Sequence, residues 1–459
     1  MENFWDFDVW GSYNVLAILL VSLLVASVLK KLFPVLKKLL IPTSVLGGVI
    51  LVVVAGFYKL LTGDVMFDTA FFGGNGTATL ETVTYHALAL GFIASAFKTS
   101  EGKLTKQRTE EIFNTGVTTV ATYLLQAVVG FGISLIAVLV VADFFPAAGV
   151  LLPFGYGQGT GQALNYGGIY ENQFGFEGGK SFGLTIAALG FISASFGGVI
   201  HLNIMKRQGR ILTKKETEGA IHSEQIQSEN EIPMQESIDK MTVQIALIAL
   251  AYLLAYLLMF LLGKLLPGMK SVIFGFNFLL GVLAATLVKS ALNWLRKKKL
   301  VRREHTNNFL MTRASNFFFD IMVVAGIAAI RLGVLEKYWG IILIMGVAGL
   351  AVTYVYNLMI ARKLFPAYSE EQFLGMYGML TGTASTGIIL LREVDGDFKT
   401  PAADNMVYQN FPAIVFGFPL MLLATLAPAK PMLTFGILVA FFLVMNVILF
   451  RKQIFRRKK

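Results

Sequence analysis

The stretch Leu151 to Gly168, LLPFGYGQGTGQALNYGG, decides how the rest of the chain is read. It lies between long apolar segments near 110–141 and 180–205, and therefore at membrane depth. It carries six glycines between Gly155 and Gly168, with Pro153 just ahead of them. Hydrocarbon offers no partner to a freed backbone N–H or C=O, so unwound backbone persists there only inside protein or beside a water-filled cavity. The expectation is a broken, re-entrant hairpin over 147–168 whose exposed backbone binds a ligand.

The rest of the chain fits a membrane setting. Its 459 residues are 55% hydrophobic, with a mean hydropathy of +0.66, against about 45–50% apolar residues in an ordinary soluble chain. The excess falls in runs of about twenty residues, the length that crosses a bilayer. Spans are expected near 12–33, 43–61, 82–98, 110–141 and 180–205, then near 241–263, 271–293, 316–333, 338–361, 404–427 and 432–450. The net charge of +11 is concentrated at the ends of these runs, a pattern of membrane orientation and not of nucleic-acid binding. With no cysteine, disulfides and thiol chemistry are excluded. The first ten residues, MENFWDFDVW, lack the basic residues of a signal peptide, so the first run is expected to stay as a span.

The connections alternate in Lys and Arg content. Lys30, Lys31, Lys37 and Lys38 follow the first span, none lies in 62–81, and Lys98, Lys103, Lys106 and Arg108 follow the third. Lys206 to Lys215, Arg296 to Arg303 and the tail RKQIFRRKK fall on the same side as these. Basic loops stay cytoplasmic, which places the N-terminus outside and the C-terminus inside. Trp5, Trp10, Trp294 and Trp339 fall at span ends, where amphipathic rings favour the interface.

The halves repeat. FGYGQGTG aligns with YGMLTGTA, pairing Gly155, Gly159 and Thr160 with Gly378, Gly382 and Thr383, and GFIASAFK from Gly91 resembles GIAAIR from Gly326. Five spans per half reverse the second half in the membrane, giving an inverted repeat. The expected fold is an all-α polytopic membrane protein of two inverted five-helix repeats with an extra C-terminal helix. The first repeat is 1–205 with its hairpin at 147–168, followed by a cytoplasmic linker at 206–240. The second is 241–427 with its hairpin at 370–391, and 428–459 forms an appended helix and basic tail.

Two hairpins entering from opposite faces would bring four broken helix ends near the midplane. Half-helix N-termini suit a carboxylate, and C-terminal ends and unwound carbonyls suit Na⁺. The candidate binding residues are Gly155, Gly157, Gln158, Gly159, Thr160, Gly161 and Gln162 in the first hairpin. Gly378, Thr381, Gly382, Thr383, Ser385 and Thr386 are the candidates in the second. Thr160, Thr383 and hairpin carbonyls are the expected Na⁺ ligands. Asp320 is an ionisable group within an apolar run, open to a functional role or to pairing with Arg313. Asn410 and Pro412 either break the tenth span or make a polar packing contact, and Arg392 either holds an anion or faces solvent. His86 reads as a hydrogen-bonded packing residue or a proton relay, and Gly183, Gly190, Gly197 and Gly198 as small residues that let helices approach. GGKS at Gly178 lacks the spacing of a phosphate-binding loop, and GYG at Gly155 lacks the context of a potassium filter. No paired catalytic residues appear, so no enzyme and no cofactor beyond Na⁺ as coupling ion is expected.

At these positions the chain resembles the sodium/glutamate symporter family. IPTSVLGG at Ile41 to Gly48, GYGQGTGQA in the first hairpin and GMYGMLTGTAST in the second carry the resemblance, which extends to about Leu426. It implies Na⁺-coupled uptake of glutamate or a related anionic amino acid. It also implies an elevator-like motion of the hairpins against a scaffold built from the first spans of each repeat. The expected setting is the bacterial inner membrane, with a small anionic substrate, Na⁺ and lipid as partners, a homodimeric assembly and no nucleic acid. The alternatives are a carrier for another carboxylate, a proton-coupled carrier using His86 or Asp320, and an ion channel with re-entrant pore loops.

Overall fold

A computed structural model describes residues 3–98, 105–208, 231–234, 238–336, 338–396 and 399–454. Most of the linker expected at 206–240, and the last five residues of the basic tail, lie outside them. Among the described residues the chain is helical, with one isolated bridge between Glu231 and Glu304. Ten helices are long and apolar enough to cross a bilayer, so the protein is an all-α, multi-pass membrane protein.

In chain order the helices are α1 (Phe7–Leu32), α2 (Thr43–Thr62), α3 (Gly76–Phe97), α4 (Lys106–Ala137), α5 (Leu151–Tyr156), α6 (Thr160–Phe174) and α7 (Gly179–Arg207). There follow α8 (Lys240–Leu265), α9 (Asn277–Lys297), α10 (Asn308–Ala328), α11 (Trp339–Leu364), α12 (Ser369–Thr381) and α13 (Ala384–Arg392). The chain closes with α14 (Ala402–Tyr408), α15 (Asn410–Leu426) and α16 (Pro431–Leu449). The tenth span is bent by 51° between Tyr408 and Pro412, where the sequence places Asn410 and Pro412. Proline supplies no N–H to the helix ladder and crowds the preceding turn, which accounts for a break there.

The chain divides into two compact units that do not follow its two halves. One contains 1–81, 104–212 and 323–459, the other 82–103 and 213–322. Two of the four boundaries fall inside helices, within α3 and within α10.

The larger unit is built around α4, which is buried on most of its circumference. Thr115, Thr118, Thr119 and Thr122 turn their hydroxyls onto carbonyls one turn back along α4, which removes them as unsatisfied groups in an apolar interior. The C-terminal helix α16, expected as an appendage, belongs to this core. Leu438, Met445 and Leu449 are buried in it, and Phe435 packs edge-on to Phe131 at 6.0 Å. Tyr356 donates to Asn446 at 2.8 Å, and Arg451 donates to Asn114 at 2.9 Å.

The smaller unit packs α8, α9 and the unit's parts of α3 and α10 around Ile93, Phe97, Ile248, Ala285 and Met311. His86 bonds to the Tyr252 hydroxyl at 2.6 Å. At one end of α8 the fully buried Lys240 pairs with Glu231 at 2.7 Å, so the charge enters the interior already neutralised.

Candidate functional site

Where the two hairpins are expected, the chain forms two helix–break–helix elements, both in the larger unit. In the first, α5 and α6 fold back so that Phe154 stacks on Tyr166 with ring centroids 3.9 Å apart. Non-helical backbone is confined to Gly157, Gln158 and Gly159, far less than the glycine content suggests. Gly161, Gly167 and Gly168 lie inside α6. A side chain on Gly167 would strike the Gly179 backbone, so that glycine serves helix contact and not unwinding. Gly159 does break the chain: its φ of +79° is a conformation that a side chain disfavours.

In the second, α12 and α13 are joined by Gly382 and Thr383. Gly378 faces Gly387 so closely that a Cβ on Gly378 would stand 2.7 Å from the Gly387 Cα. Thr383 caps α13, its hydroxyl accepting from the Thr386 N–H at 3.3 Å, with the Thr386 hydroxyl 3.2 Å away. The helix cap is therefore Gly159 in one hairpin and Thr383 in the other, one residue out of register with the sequence pairing of Thr160 and Thr383. Glycine has no hydroxyl to offer, and α6 begins without a side-chain cap.

The two breaks meet on α7. A Cβ on Gly190 would lie 2.5 Å from the Thr381 carbonyl oxygen and 3.2 Å from the Tyr156 Cα. One small residue thus lets the last turn of α5 and the last turn of α12 reach the same place. Gly155 rests on Ile186 and Ala187 of the same helix, and Gly382 rests on Phe191. Around this point Tyr123 donates to the Gly157 carbonyl at 3.1 Å. Tyr156 donates to the Gly346 carbonyl at 2.5 Å, and Tyr377 donates to the Ser193 carbonyl at 2.8 Å. Gln126 donates to the Leu380 carbonyl at 2.9 Å. Thr160 lies against Gly326 on α10.

The chemistry of the two ends differs. The first turn of α6 is buried, and an uncapped helix N-terminus presents N–H groups and a positive dipole end. Gln162, in that turn, is 2% exposed and its Nε2 has no acceptor, so a further donor is held in the interior. That combination favours an anion. The end of α12 presents carbonyls, which favour a cation.

The structure brings Gly155, Gly157, Gly159, Thr160, Gly378, Thr381, Gly382, Thr383 and Thr386 to the two breaks or the turns beside them. Gln158 is half-buried at the first break, and Gly161 is buried beside it. The side chain of Ser385 lies outside the described residues. Asn410 accepts from Gln409 at 3.1 Å at the start of α15, and Arg392 is exposed in the last turn of α13. Asp320 belongs to the smaller unit, on the exposed side of α10. Tyr123, Gln126 and Tyr156 escape a reading of the sequence. The only trace of Gln126 there is a polar residue within the apolar run of α4.

The chain matches no protein-family model, and no curated protein matches it in sequence.

Proposed function

We propose that this protein is a secondary active symporter that takes up glutamate or a related anionic amino acid with Na⁺. The observation that carries the proposal is the meeting of two broken helical hairpins on Gly190, with an uncapped helix N-terminus in one and a helix C-terminus in the other. Such discontinuous helices are how many secondary carriers hold an anionic substrate and its coupling ion. Coupling has a physical reason. Moving one negative charge inward against the membrane potential costs about 2.3 kcal/mol per 100 mV, so at least one cation must enter with it.

In this reading the hairpins dip into the bilayer from opposite faces and travel as one body in an elevator-like cycle. The α6 N-terminus with Gln162 takes the substrate carboxylate, and Thr160, Thr383 and hairpin carbonyls contribute to Na⁺ binding. The protein works as a homodimer in the bacterial inner membrane, N-terminus outside and C-terminus inside.

Reconstituted vesicles test this. A Na⁺ gradient at equal pH is expected to drive saturable glutamate accumulation, and a pH gradient without Na⁺ is not. Equilibration without accumulation would favour the channel alternative and defeat the proposal. One observation favours a second reading, proton coupling. His201, 3% exposed on α7, bonds to the partly buried Glu370 of α12 at 2.6 Å and to Tyr354 at 2.8 Å, a titratable pair attached to the second hairpin. Uptake driven by the pH gradient alone would select it.

A further inference from the structure

Three buried amide oxygens in the larger unit have no hydrogen-bond partner, Gln126 Oε1 on α4, Asn357 Oδ1 on α11 and Gln409 Oε1 ahead of α15, and the first two share a threonine. The orientations of those two are fixed by the nitrogens. Gln126 Nε2 donates to the Leu380 carbonyl and to the Thr353 hydroxyl, each at 2.9 Å. Asn357 Nδ2 donates to the Thr353 carbonyl at 2.9 Å and approaches the Thr122 hydroxyl at 3.4 Å. A backbone carbonyl cannot donate, so turning either amide over would set oxygen against oxygen. One residue, Thr353, thus anchors both amides and leaves both oxygens without a donor. Gln126, Thr353 and Thr122 are fully buried and Asn357 is 1% exposed.

Buried acceptors are nearly always satisfied, so two unsatisfied oxygens tied to one threonine require an explanation. A cation supplies it. Gln126 stands at the C-terminal end of α12, where Gly382 ends the helix and terminal carbonyls lose their N–H partners. That end also carries the negative pole of the helix dipole. Among the described residues no cluster of His, Cys, Asp or Glu could hold a metal ion, and this group is made of neutral oxygens. Neutral oxygens suit a singly charged ion that sheds its water readily, and are a poor set for Mg²⁺ or a transition metal.

We infer that Gln126 Oε1 and Asn357 Oδ1 are ligands of a dehydrated monovalent-cation site at the end of α12, with Na⁺ as its ion. The site deepens the symport reading, and rests on it only for the role the ion plays. Binding there ties α4 and α11 to the end of the second hairpin, so occupancy stabilises the hairpin in place.

The test uses the full-length protein in nanodiscs without substrate, with ²²Na⁺ binding and thermal unfolding measured in NaCl against choline chloride. Wild type is expected to bind Na⁺ saturably and to unfold at a higher temperature with Na⁺ than with choline. Asn357→Ala and Gln126→Ala are expected to raise the half-saturating Na⁺ concentration at least tenfold and to shrink the difference between unfolding temperatures in NaCl and choline chloride. If the alanine variants are already unstable in choline, Gln126→Lys keeps a donor for the Leu380 carbonyl and removes the oxygen. That variant must then raise the half-saturating concentration at least tenfold. Absence of Na⁺ binding by wild type, or half-saturation unmoved in the folded variants, overturns the site. Intact Na⁺ binding with uptake that ignores the Na⁺ gradient would instead overturn the symport reading and leave the site standing.

Discussion

Thr160 and Gly326 touch: a Cβ built on Gly326 would stand 2.6 Å from the Thr160 Cβ. The first residue of α6 therefore depends on a glycine more than 160 positions away on α10. Gly326→Leu would push the α6 N-terminus off its place. Overpacking of this kind costs about 1–3 kcal/mol. The expected outcome is a lower unfolding temperature together with at least a tenfold loss of substrate uptake. Gly326→Ala should lie between, and uptake by Gly326→Leu at the wild-type rate would show that the α6 terminus has no part in binding.

The two threonines of the hairpins should behave differently. Thr383→Val removes the cap of α13, a loss of about 0.5–2 kcal/mol. Thr160→Val removes a hydroxyl from a helix that has no side-chain cap to lose, so its stability should change less. Both are expected to weaken Na⁺-dependent uptake in vesicles while remaining folded. Normal uptake by both folded variants would take the hairpins out of the transport mechanism.

The link between α7 and α12 at His201 should be stabilising. Glu370 lies 2.6 Å from the imidazole and 3.8 Å from Arg362. Replacing His201 by Ala leaves a largely buried carboxyl short of a partner, and a lost hydrogen bond to a charged group costs about 1.5–3 kcal/mol. A His201→Ala/Glu370→Leu pair should recover part of that loss. Calorimetry or fluorescence unfolding of the single and double variants gives the coupling between the two residues, and strict additivity would show there is none.

The turn between α13 and α14 is organised by Asp395. Burial works against its ionisation. The Thr400 hydroxyl at 2.6 Å and the Thr400 and Lys399 N–H groups at 2.8 Å outweigh that and hold the carboxyl below the ordinary aspartate range. A carboxyl with a lowered folded pKa contributes stability that is complete above its unfolded value of about 3.9, and loses it as pH falls through the folded value. Hydrogen exchange at the Lys399 and Thr400 amides should be slow at pH 5 and accelerate beyond the intrinsic pH trend in strong acid. Asp395→Ala should remove the protection at every pH, and equal protection in the variant would exclude the carboxyl as its cause.

Much of the fold is legible without coordinates because the bilayer fixes it. A run of about twenty apolar residues can satisfy its backbone in hydrocarbon only as a helix, so ten of the expected spans appear as helices and the tenth in chain order as a bent pair. Where the sequence has Gly159, Gly382 and Pro412 the helices do break, because those residues alter backbone geometry locally.

Distances between segments far apart in the chain are another matter. Nothing in the spelling of Gly161 or Gly167 separates a glycine that unwinds a helix from one that admits a neighbour, and here both lie within α6. Likewise α16 reads as an appendage because the first half has no counterpart, while Leu438 and Met445 are part of the main core. Local sequence determines that the chain is helical, membrane-spanning and broken near Gly159, Gly382 and Pro412. Only tertiary structure decides that both hairpin breaks meet on Gly190, and that Gln126 donates to the end of α12 while its oxygen is left without a donor. The reason is physical: helix formation depends on neighbours within a turn or two, whereas close approach and the satisfaction of polar groups depend on residues brought together from across the whole chain.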